Sequence, residues 1–64
     1  MTVYIEGIGE ITASEDALNK LSLIAIYASE TYTAHEYFAL AREANDIGFA
    51  IYKALKAAGY YDEV

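Results

Sequence analysis

His35-Glu36-Tyr37-Phe38-Ala39 opens in the manner of a zinc-protease helix. In such a helix two histidines one turn apart hold the metal and the glutamate serves as general base. Ala39 stands where the second histidine is required, and His35 is the only histidine in the chain. The segment therefore predicts no metal site, only a solvated histidine in the first turn of a helix. Gly7-Ile8-Gly9 begins like a dinucleotide fingerprint, but Thr12 occupies the place of the third glycine. No βαβ unit of adequate length surrounds it, so it predicts a hairpin loop and no cofactor. Ser14, Ser22 and Ser29 have one possible histidine between them, and Ser14 is better explained as a helix cap. Paired carboxylates could do acid–base work, but Glu6 and Glu10 are expected on a hairpin surface with no pocket to raise one pKa. The expectation is a chain without a catalytic site.

The acidic residues carry the more specific signal. Ten acids stand against four bases, for a net charge of −6. Before Arg42 the only base is Lys20, against Glu6, Glu10, Glu15, Asp16, Glu30 and Glu36. Such a surface repels phosphate backbones and anionic lipids, which predicts a basic protein partner, no direct nucleic-acid contact and no membrane contact. Glu6, Glu10, Glu15 and Asp16 are expected to form one patch. Glu36, Glu43 and Asp46 would extend a second row along a helix, interrupted by Arg42. Seven tyrosines add area that a small core cannot absorb. Tyr60 and Tyr61 in the tail look exposed and complete the predicted partner-binding set of Glu6, Glu10, Glu15, Asp16, Glu30, Glu36, Tyr60 and Tyr61.

The elements that must position these residues follow from periodicity. Val3-Tyr4-Ile5 favours a strand, so residues 3–12 read as a hairpin whose loop is Gly7-Ile8-Gly9, with Ile5 opposite Ile11 and Glu6 opposite Glu10. A helix over 14–28 starts at Thr12-x-x-Glu15 or at Ser14 and buries Ala17, Leu18, Leu21, Ile24, Ala25 and Ala28. Leu23, Ile26 and Tyr27 fall off that stripe, so the helix is apolar nearly all round. Ser29 to Tyr32 reads as a break. Thr33-x-x-Glu36 then starts a second helix over 33–58, where Tyr37, Leu40, Ala44, Ile47, Ile51, Ala54 and Ala58 hold a steady spacing and Gly59 ends it. A break at Asn45-Asp46, giving three helices, is the competing reading. The expected core is Ile5, Ile11, Leu18, Leu21, Ile24, Ile47, Ile51 and Leu55, with Tyr37, Phe38 and Phe49 packed on or beside it.

These elements make a single α+β domain of 64 residues, an antiparallel hairpin on two or three helices. The absence of cysteine, and an N-terminus without a basic stretch leading into an apolar run, point to the cytoplasm. The hydrophobic fraction of 56% exceeds what so small a body can bury, so a homodimer or an obligate partner is expected.

A chain of this length with an N-terminal hairpin, acidic helices, no cysteine and many tyrosines resembles the small acidic anti-CRISPR proteins of phages and mobile elements. Inhibitors of type I surveillance complexes are the nearest in character. The likeness covers the whole chain and carries no position-by-position correspondence. It implies an inhibitor, working inside a prokaryotic host, that occupies a basic DNA-binding surface as a DNA mimic. The alternative is an accessory, antitoxin-like or homo-oligomeric module that pairs through its apolar helices.

Overall fold

The computed structural model describes residues 1–62 and contains β1 (Thr2–Ile5), β2 (Gly9–Thr12), α1 (Glu15–Ala34) and α2 (Phe38–Ala57). An antiparallel hairpin is followed by two packed helices, as an α+β chain. The last two residues of the expected tail, Glu63 and Val64, lie outside the described residues.

The hairpin pairs Thr2 with Thr12, Val3 with Ile11, Tyr4 with Glu10 and Ile5 with Gly9. This is two residues away from the expected pairing of Ile5 with Ile11 and Glu6 with Glu10. The loop is Glu6-Gly7-Ile8, closed by the Ile8 N–H donating to the Ile5 carbonyl at 3.0 Å. Gly7 and Gly9 take φ of 86° and 110°, values that a β-carbon disfavours, so the turn is placed where glycine can serve it. A slip of an even number of residues leaves each side chain on its face. Val3 and Ile5 are buried against the helices, while Tyr4 and Glu10 face outward.

Helix α1 starts where Ser14 Oγ accepts the Ala17 N–H at 3.1 Å. It does not stop at Ala28. The hydroxyls that suggested a break donate to carbonyls one turn back: Ser29 to Ile26 at 2.7 Å, Thr31 to Tyr27 at 3.2 Å and Thr33 to Ser29 at 2.8 Å. The chain turns at His35–Tyr37 instead. There the Glu36 N–H donates to the Thr33 carbonyl and the Tyr37 N–H to the Tyr32 carbonyl, with Glu36 at φ 62°. That is a Schellman ending, so Thr33 starts no helix. Helix α2 then runs unbroken through Asn45-Asp46 and ends in a second Schellman motif around Gly59 at φ 83°.

Val3, Ile5, Leu18, Ile51 and Leu55 form the buried core, with Ile11, Ile47, Ala54 and Tyr60 partly buried against it. Leu21 and Ile24, expected there, are exposed. The cause is the seam between the helices, which is built from small residues: Ser22 and Ser29 on α1, Ala41 and Gly48 on α2. A β-carbon at Gly48 would stand 2.8 Å from Ile26 Cγ1 and 3.1 Å from the Ser22 carbonyl oxygen, so the backbones approach closely. The two buried serines stay satisfied by donating to the carbonyls of Asn19 and Ile26. Presenting Leu18, Ser22 and Ser29 to α2 turns the Leu21–Ile24 stripe outward. The hairpin covers α2 through β1, whose Val3 and Ile5 share the core with Ile51 and Leu55 in the second half of the helix. Tyr37, Phe38 and Leu40, at the start of α2, remain exposed rather than packed, and Phe49 is exposed with its ring edge-on to Tyr52.

Candidate functional site

The hairpin turn carries Glu6 onto α2, beside Glu43 and Asp46. One helical turn separates those two, so both can face the turn. The three residues border a depression of about 300 Å³ whose remaining walls are Ile5, Gly7, Ile8 and Ile47. Apolar walls and an acidic rim suit a lysine or arginine side chain, which lays its aliphatic stem on apolar surface and keeps its charged head among carboxylates. Among the described residues, no lysine or arginine lines the depression. Among the described residues, no group of three or more histidine, aspartate or glutamate side chains is arranged to hold a metal ion.

The predicted acidic patch is dispersed. Glu6 sits in the turn at one end of the hairpin, whereas Glu15 and Asp16 begin α1 beyond its other end. A four-residue strand spans roughly 13 Å, which separates Glu6 from Glu15 and Asp16. Glu10 is exposed on β2 opposite Tyr4, and no longer faces Glu6. Glu30 is exposed near the end of α1, and Glu36 lies in the turn between the helices, off the row that Glu43 and Asp46 form. The clustering of Glu6 with Glu43 and Asp46 was not legible, because it depends on which helix the hairpin lies along. The Glu43-x-x-Asp46 spacing was its only trace in the sequence.

Tyr60 and Tyr61 are engaged within the chain. The Tyr60 hydroxyl donates to Asp16 Oδ1 at 2.7 Å and the Tyr61 hydroxyl to Asn19 Oδ1 at 2.6 Å. Their rings meet edge to face at 5.1 Å, and Tyr61 lies 5.3 Å from Tyr52. Both serve to fasten the segment after α2 to the first turns of α1, and Tyr60 is half-buried. His35 is the C-cap of α1, exposed, with its ring 6.2 Å from that of Tyr37. Gly7-Ile8-Gly9 spans the hairpin turn and the first residue of β2, with no helix behind it to receive a phosphate.

The chain matches no protein-family model, no curated protein and no solved structure. Among the described residues, no helix is long and apolar enough to cross a membrane.

Proposed function

We propose that this chain is a non-catalytic binding protein that engages the basic surface of a protein partner, with the depression between the hairpin turn and α2 receiving a lysine or arginine. The observation that carries the reading is that Glu6, Glu43 and Asp46 border one depression walled by isoleucine, with no lysine or arginine among its described lining residues. The partner class that best fits a −6 chain with such a site is a nucleic-acid-binding protein, whose basic channel exists to hold phosphates. Within that class, the resemblance in character to anti-CRISPR inhibitors selects a host defence complex, and inhibition by occupying its DNA-binding surface. Duplex DNA and the chain then compete for the same bases. The test is DNA binding by a purified type I surveillance complex with increasing amounts of the chain. Competitive loss of DNA binding is expected, and Glu6→Gln with Glu43→Gln should restore it. DNA binding untouched by excess chain would remove the defence complex as partner.

The apolar outer face of α1 favours a second contact, made through hydrophobic surface rather than charge.

A further inference from the structure

Helix α1 turns its best apolar stripe away from the rest of the chain. Ala17, Leu21, Ile24 and Ala28 follow one another at spacings of four, three and four, which keeps them in line along one side of a helix. Leu21 is 42% exposed and Ile24 64%, while Ala17 and Ala28 at the two ends are half-buried; Leu23 and Tyr27, off the stripe, are 59% and 72% exposed. The stripe reads the same in both directions: small, large, large, small, centred between Ser22 and Leu23. A face of that kind meets itself when a second copy approaches antiparallel, as two-fold symmetry requires, since each contact of one residue with another is then repeated in reverse.

We infer that α1 is the interface of a homodimer. Leu21 packs against Ile24 of the second copy and Ala17 against its Ala28, about a two-fold axis that passes between Leu21 and Ile24 on the outer side of the helix. The self-matching order of the stripe selects a second copy, and its lack of charge disfavours the other occupants. No charged residue stands in the stripe, and the acids of α1, Glu15, Asp16 and Glu30, fall on other sides of the helix. A basic partner would find nothing to pair with there. An anionic membrane would be repelled by a chain of net charge −6 that offers only Lys20 beside the stripe. A standard interface takes roughly 800 Å² from each partner, about a sixth of the 4763 Å² surface of this chain. The basic-partner site lies on the hairpin and α2, so the dimer would carry two copies of it.

The experiment is sedimentation of the intact chain beside an Ile24→Glu variant, together with oxidative cross-linking of Leu21→Cys and Ile24→Cys chains. The parent is expected at twice the 7.0 kDa chain mass. The Ile24→Glu variant should be monomeric with an unchanged helical spectrum, because Ile24 is mostly exposed and lies outside the core cluster. Mixed Leu21→Cys and Ile24→Cys chains should cross-link to each other faster than either does to itself. A parent that is monomeric at millimolar concentration, an Ile24→Glu variant that keeps the dimer mass, or cross-linking dominated by like pairs would each overturn the assignment. Binding of a monomeric parent to anionic phospholipid vesicles would also overturn it and give the face to a lipid surface.

Discussion

The Tyr60 hydroxyl donates to an Asp16 carboxylate oxygen across 2.7 Å, joining the segment after α2 to the first turn of α1. That contact holds the phenol proton more tightly than in a free tyrosine. The hydrogen bond to Asp16 is the main cause, followed by partial withdrawal from water and the negative charge of Asp16.

A group whose folded pKa is raised contributes stability below its unfolded value and loses it as pH climbs through the folded one. The melting temperature is therefore expected to fall with rising pH above about pH 10, the ordinary tyrosine value. In Tyr60→Phe the fall should be shallower, because the phenol that drives this part of it is gone. Parallel melting curves for the two proteins across that range would show that the contact does not matter to stability.

Glu36 occupies a left-handed conformation, φ 62°, at the position of a helix ending that glycine normally fills. Its β-carbon costs on the order of 1 kcal/mol there. Glu36→Gly is expected to stabilise the chain by up to that amount, less the extra entropy of glycine in the unfolded state. Urea denaturation gives the sign directly.

At Gly48 the balance runs the other way. Alanine is the better helix former by about 1 kcal/mol. Its β-carbon, however, would press on Ile26 and on the Ser22 backbone, and overpacking costs about 1–3 kcal/mol. Gly48→Ala should therefore destabilise, and Gly48→Val, larger at the same point, should do so more strongly in the same titration.

Truncations should separate core from surface. Leu18→Ala and Ile51→Ala, both fully enclosed, are expected to lose about 2–5 kcal/mol in urea denaturation. Leu23→Ala, more than half exposed, should lose far less, because most of its surface is already in water. Equal losses at the three positions would contradict the placement of α1.

The order of elements, the continuity of α2 and its glycine ending were legible because each has a local cause: strand formers, an unbroken apolar spacing, and Gly59 where φ must be positive. The turn between the helices was not. Thr33-x-x-Glu36 has the spacing of a helix start, yet Glu36 closes the helix before it, and no glycine marks the spot. Side assignment on α1 failed for a related reason. Hydrophobicity ranks Leu21 and Ile24 above Ser22 and Ser29, but close approach at Gly48 demands small residues in the seam. The site combined an available fragment, Glu43-x-x-Asp46, with a tertiary fact, the course of the hairpin along α2.

Titration with an arginine-rich peptide, at low and at high salt, tests the basic-partner site most directly. The parent is expected to bind, with affinity falling as salt rises, because charges at an exposed rim are screened within about 10 Å at 0.1 M. The triple variant Glu6→Gln, Glu43→Gln, Asp46→Asn should bind roughly tenfold more weakly and with a smaller salt dependence, since three exposed pairs of about 0.5 kcal/mol each are lost. Glu15→Gln with Asp16→Asn, at the far end of the hairpin, should change binding much less. Affinity that survives the triple variant, or that drops equally for the distant pair, would contradict a site between the hairpin turn and α2.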